Sequence, residues 1–185
     1  LVGSEMCIRD SDKFVDCLLT YEDKRFFYHP GIDPAAIFRA IRLNGKAGRV
    51  VSGGSTLTMQ LARIARGNQD RTFYEKTIEM CWALFLETTY SKQEILNLYA
   101  SHAPFGGNVI GLETAAWRYF GRSASELSWA ESATLAVLPN SPALIHPGRN
   151  RKQLKEKRDR LLASLQKKGV LEETEYELAL SLIHI

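Results

Sequence analysis

The apolar residues of this chain recur at helical spacing, and nowhere do they alternate as a half-buried strand would. Phe14, Val15, Leu18 and Leu19 form the first stripe. Ala36, Ile37, Ala40, Ile41 and Leu43 form a second, and Ile78, Trp82, Phe85 and Leu86 give one apolar face to a long pattern over residues 72–101, interrupted near residues 88–91. A further helix is expected over residues 111–121, where Ala115 and Ala116 allow close packing. An apolar run follows at 133–138, then a basic amphipathic helix over 150–168 with Leu154, Leu161, Leu162 and Leu165 inward. The punctuation agrees. Asp33-Pro34 reads as an N-cap with proline at the first helical position. Ser91…Glu94 and Ser128…Glu131 have the spacing of capping boxes. Gly121 and Gly169 end helices, and Pro139, Pro142 and Pro147 mark an extended segment. The chain is therefore read as all-α, without internal repeats.

A length of 185 residues suits one domain with a sizeable core. With 45% hydrophobic and 24% charged residues the chain is globular rather than disordered, and a net charge of +3 gives no ground for a nucleic-acid partner. Cys7, Cys17 and Cys81 have no metal-ligand spacing; Cys17 and Cys81 lie among apolar residues and are expected in the core. No apolar run reaches the length of a spanning helix, and residues 1–11 lack the apolar centre of a signal peptide. Residues 1–11 and 181–185 resemble translated adapter sequence. The folded domain is expected over 12–175, within a natural protein that continues past both ends.

Chemistry concentrates in residues 21–31, where Glu22, Asp23, Lys24, Arg25, Phe26, Phe27, Tyr28 and His29 precede Pro30-Gly31. Acids at a helix C-terminus oppose the helix dipole, which hints at a purpose other than stability. A carboxylate beside aromatic rings is partly desolvated, which favours proton transfer near neutral pH. The plainer alternative is a helix end with charges in solvent and aromatics docked into the core. Residues 44–52, with Gly45, Lys46, Gly48 and Arg49, read as a mobile loop. Gly53-Gly54-Ser55-Thr56 then starts a helix whose free N–H groups can receive an anion, or which is simply capped; no Walker ending is present. Phe27, Tyr28 and residues 37–46 could form an interfacial surface or an ordinary core helix.

Over residues 12–171 the chain resembles the peptidoglycan glycosyltransferase domains of bifunctional penicillin-binding proteins, most closely the penicillin-binding protein 1C branch. The first family motif stands as Glu22, Asp23, Phe26, His29 and Gly31, and the second as Gly53, Ser55, Thr56, Thr58 and Gln60. The third stands as Lys76 and Glu79 with residues 91–96. The fourth stands as Gly106, Asn108, Gly111, Ala115, Ala116 and residues 119–121. Departures are Ala100-Ser101 for a usual Leu-Asn, Met59 for a frequent Gln, and Arg63 for a usual Lys, the last keeping its charge.

The resemblance implies a lysozyme-like helical fold with a smaller, mobile, membrane-facing lobe. It implies lipid II and the growing glycan chain as substrates, on the outer face of the cytoplasmic membrane, beside other cell-wall synthesis proteins. The donor's α-linked diphosphate and the β-1,4 product require one inverting displacement. Glu22 is the candidate base for the acceptor 4-hydroxyl, and Glu94, by motif match, the second acid near the leaving group, its plainer role being the cap. The leaving diphosphate needs positive charge. Arg63, Arg71 and Lys76 are candidates, and a divalent cation, magnesium or manganese, is a further source. Asp23, Phe26, His29, Ser55, Thr56, Gln60 and Glu79 are candidates for orienting substrate or the primary groups. Two rivals stay open: a muramidase or lytic transglycosylase, which would have no task for the basic set, and a non-catalytic scaffold.

Overall fold

The computed structural model describes residues 11–49, 53–67, 72–139 and 150–181. Arg71, Cys7, Pro142 and Pro147, with the rest of the leader, tail and loop outside these ranges, lie beyond the described residues. Those residues are helical throughout: α1 (Asp12–Glu22), α2 (Pro34–Ala47), α3 (Leu57–Ala65), α4 (Phe73–Thr89), α5 (Lys92–His102), α6 (Leu112–Phe120), α7 (Trp129–Val137), α8 (Arg151–Lys167) and α9 (Glu173–Ser181), with 3-10 turns at Phe26–Tyr28 and Ala124–Glu126. Outside them only one isolated bridge, Pro104 with Ile110, has strand character. The chain divides into two compact units, residues 1–24 with 99–185, and residues 25–98.

The first unit is built on α7. Ala130 and residues 132–137 are all buried, and a short helix of mostly small and apolar side chains buried nearly all round belongs in a core. Its small side chains let α1 and α8 pack closely on it, with α6 and α9 also against it. Its start is tied by the expected capping box between Ser128 and Glu131. The leucines expected inward on α8 are buried, and Arg158 lies among them at 1% exposure, with Nε and Nη2 donating to Asp159 at 2.9 and 2.7 Å. Before α6, Gly111 has φ +86°, and a side chain there would drive its Cβ to 2.9 Å from the Ser101 carbonyl. α9 carries the packing past residue 175, with Ala179 buried, and Ser11, counted above with the leader, donates its hydroxyl to the Ala124 carbonyl.

The second unit is a pair of packed helices, α3 on α4, with a loop and two further helices about them. Here several expectations change. α2 continues through Ala47 to a left-handed Gly48, so residues 44–47 are helix rather than loop. Of its expected apolar face only Ala40 is buried; Phe38, Ile41 and Leu43 are exposed. On α4 the buried positions are Glu79, Ala83 and Leu86, while Trp82 and Phe85 are exposed and stacked edge to face. Cys81, expected in the core, is exposed; Cys17 is buried as expected. The reason is that α4 is apolar nearly all round, so spacing alone does not choose which stripe meets α3.

Candidate active site

Glu22 is the last residue of α1 and is half-buried. Burial first, and then the Glu22 charge, push the Tyr21 phenol up to about 12. The same two causes raise Tyr99, which is 1% exposed. On α8, burial lowers Lys157 while the Glu22 charge pulls it back up. The carboxylate thus sits in the field of two phenols and one ammonium, all within the first unit. Asp23 follows as the C-cap of α1, 5% exposed, its N–H donating to the Leu19 carbonyl at 3.1 Å. Sequence reasoning named neither Tyr99 nor Lys157. The signal for Lys157 was its place between Leu154 and Leu161, near the inward stripe of α8.

In the second unit the motif residues gather in two groups. Thr56, the N-cap of α3, accepts from the Met59 N–H at 3.2 Å and donates to the Gly31 carbonyl at 2.5 Å. That places Ser55 just before the helix, where its hydroxyl meets the Lys76 ammonium. Lys76 also bonds Glu79 Oε2 at 3.1 Å, one turn on in α4, and Arg63 Nε lies 3.7 Å from Glu79 Oε1. Ser55, Arg63, Lys76 and Glu79 are therefore one cluster, with one carboxylate set between two cations. Glu79 is 8% exposed, so its charge is held in place by those partners. The cluster keeps a net positive charge, and the Lys76 side chain is 39% exposed, so it is open to an anion. Gln60 is half-buried one turn into α3.

Phe26 and His29 form the second group. Phe26 is 1% exposed and His29 8%, their rings edge to face at 6.3 Å. Just beyond, Asp33 caps α2 through the Ala36 N–H at 3.0 Å and pairs with Arg25. Burial alone would raise the Asp33 carboxyl, but the Ala36 N–H and the Arg25 guanidinium outweigh it and hold it below the usual carboxylate range.

Glu94 joins neither group. Its carboxylate accepts from the Ser91 N–H and hydroxyl, both at 2.7 Å, and the Ser91 hydroxyl accepts from the Glu94 N–H at 3.3 Å. This is the expected capping box, in solvent, and the Ser91 hydroxyl and N–H lower the Glu94 carboxyl below its ordinary value. Arg66, outside the motifs, pairs with Glu75 and so fastens the end of α3 to the start of α4.

Among the described residues no three His, Cys, Asp or Glu side chains gather as a metal-holding group. Among the same residues no helix is long and apolar enough to cross a membrane.

A family model described as Transglycosylase matches residues 8–166. Penicillin-binding protein 1C of Escherichia coli strain K12 is 42% identical over 160 residues, covering 86% of this chain and 21% of that protein. Penicillin-binding protein 1A of Aquifex aeolicus is 37% identical over 167 residues, covering 90% of this chain and 23% of that protein. A crystal structure of penicillin-binding protein 1A from Haemophilus influenzae matches with TM-score 0.47 and 24% identity, covering 70% of this chain and 16% of that one. The chain spans about a fifth of the length of the curated relatives it matches.

Proposed function

The chain belongs to the transglycosylase family, and from that premise we propose that it polymerises lipid II into β-1,4-linked glycan with inversion and release of a polyprenyl diphosphate. The observation that carries this reading is the net-positive cluster of Arg63, Lys76 and Glu79 at the facing ends of α3 and α4. A glycosidase acting on a sugar leaving group has no use for it. A departing diphosphate does, because developing negative charge is best stabilised by cations already in place. Arg63 offers a forked contact to phosphate and Lys76 a point charge. Ser55 and Glu79 hold the Lys76 ammonium in position, and Arg71, outside the described residues, is a further candidate by its place in the sequence alone.

Glu22 is assigned the proton of the acceptor 4-hydroxyl. Its half-burial beside two phenols and Lys157 supports a carboxylate partly shielded from water. Glu94 is kept as the second acid near the leaving group by its place in the third motif, and for that role its carboxylate would have to leave the Ser91 cap. Asp23, His29 and Gln60 are assigned to substrate. Phe26 and Thr56, both buried, act by shaping the loop and the helix start. The domain works at the outer face of the cytoplasmic membrane, where Phe38, Ile41 and Leu43 of α2 meet the lipid interface.

Glu22→Gln tests the assignment. The amide keeps the shape but accepts no proton, so glycan synthesis from lipid II falls at least ~10²-fold while the melting temperature holds. Near-normal chain formation by this variant would remove Glu22 from the role. Release of soluble muropeptides from purified cell wall by the unaltered chain would favour a hydrolase instead.

A further inference from the structure

Lys92, the first residue of α5, is a hub of the second unit that the proposed chemistry leaves unused. Its ammonium donates to the His29 carbonyl at 2.6 Å and to Glu87 Oε1 at 2.7 Å, and stands 4.4 Å from the centre of the Phe26 ring. The side chain is 22% exposed and that of Glu87 only 8%. Glu87 Oε1 also accepts from the Thr58 hydroxyl at 2.6 Å, which links the hub to α3. Gly31 is pressed against the same place: with φ +85°, a Cβ there would meet the Ala83 carbonyl oxygen at 2.7 Å and Glu87 Cγ at 3.0 Å. One ammonium therefore joins the loop of residues 26–31, the last turns of α4, the start of α3 and the start of α5.

We propose that Lys92 is a positioning residue for the transferase reaction: it holds the loop of residues 26–31 in the form that presents His29 to substrate. The reason is geometric. A carbonyl in a loop has no ladder to fix it, and a charge-assisted bond from a half-buried ammonium does so in its place. The cation over Phe26 fixes the ring against which the His29 ring packs. A lysine at a helix N-terminus has no free carbonyl of its own helix to cap and ordinarily lies in water, and Lys92 donates instead to a residue 63 positions away. The inference rests on the assignment of His29 to substrate made above.

Three variants of the 185-residue chain test it. Lys92→Met alone leaves the Glu87 carboxylate buried without its cation, so a double change, Lys92→Met with Glu87→Gln, removes that penalty while still leaving the His29 carbonyl without its donor. Lys92→Arg keeps a cation able to reach both. Arg66→Ala is the control, since it breaks a comparably half-buried ion pair in the same unit without touching the loop. In the double variant, amide exchange over residues 26–31 is expected to accelerate at least ~10-fold, and KM for lipid II to rise about tenfold with kcat held within about threefold. Lys92→Arg returns both values to within about threefold of the original chain, and Arg66→Ala changes neither. Unaltered exchange and KM in the double variant would overturn the inference. So would an equal rise in KM from Arg66→Ala. If the original chain makes no glycan at all, the transferase reading fails, while the exchange comparison still decides whether Lys92 holds the loop.

Discussion

The two units of this molecule use the same helical grammar and differ in how many of their large apolar side chains they leave outside the core. In the first unit the stripes of α1, α7 and α8 close on one another: Phe14, Leu18, Leu135, Leu161, Leu162 and Leu165 are all within 3% of full burial. In the second unit a core of Phe26, Leu57, Met59, Leu61, Leu86, Ile95 and Leu96 coexists with large apolar side chains that face out, with Phe38 at 69%, Ile41 at 67% and Phe73 at 96% exposure. Beside that core it buries Asp33, His29, Thr56, Thr58 and Glu79, all of them in or next to the motif residues. The first unit is held mainly by packed surface, and the second by a smaller packed core together with hydrogen bonds and ion pairs around the motif residues. A unit of the second kind can present charge to a phosphorylated lipid and oily side chains to its tail. A unit of the first kind can hold one carboxylate at the end of a stiff helix.

The sharpest way to break this contrast is truncation of matched side chains. Leu162→Ala in the first unit should cost about 2–5 kcal/mol in chemical denaturation, because the site is fully packed and collapses poorly. Ile41→Ala in the second should stay within ~0.5 kcal/mol. Phe38→Ala with Ile41→Ala should nonetheless weaken flotation of the chain with anionic liposomes. Equal stability losses in the two units, with unchanged flotation, would make the exposed stripe an ordinary surface.

Next in size is the polar cluster. Arg63→Ala should remove a charge-assisted contact worth about 1.5–3 kcal/mol, a roughly 10- to 150-fold loss of kcat/KM, and should weaken phosphoglycolipid inhibitors alike. Arg66→Ala should leave polymerisation nearly intact and lower stability by about 0.2–1 kcal/mol through the Glu75 pair. Equal polymerisation by both variants would reduce the cluster to a solvated face.

The smallest effect is one of sign. Asp33, in the second unit, is held below its ordinary pKa, so its contribution to stability is full above about pH 4 and fades as the pH falls through its folded value. Asp16, in the first unit, is raised by burial and by Asp12, so its ionisation opposes folding from about pH 4 upward and does so in full above its folded value. Asp33→Asn should therefore destabilise at neutral pH and Asp16→Asn should stabilise, both differences shrinking on acidification. Denaturation curves at pH 7 and pH 3 give the comparison, and shifts of the same sign would contradict it.

Much of the secondary structure was legible in the chain. The caps at Asp33, Ser91 with Glu94, and Ser128 with Glu131 stand where their spacing put them, and the leucine stripe of α8 is buried as its period required. The site was legible as a set of residue types and only partly as a set of neighbours. Ser55, Arg63, Lys76 and Glu79 do meet, whereas Glu94 spends its carboxylate on its own helix start. The buried face of α4 and the exposure of Cys81 differ from expectation, because a helix with apolar residues on several sides offers more than one face to a neighbour, and for α2 the exposed stripe is the interfacial one of the two alternatives the sequence left open.

What the sequence determined by itself was local: helix starts and stops, the amphipathic stripes with a single apolar side, and the kinds of charge available. These depend on residues within about four positions of one another, where backbone geometry leaves few options. What tertiary structure decided was which charges meet and which oily faces stay open. Lys92 reaching the His29 carbonyl, Glu79 set between Arg63 and Lys76, and Arg158 drawn into a leucine core all join or bury groups that the one-dimensional pattern treats as independent. Such pairings are chosen by the low dielectric of the interior, which makes an unmatched buried charge too costly to keep and therefore selects the packing in which each one finds its partner.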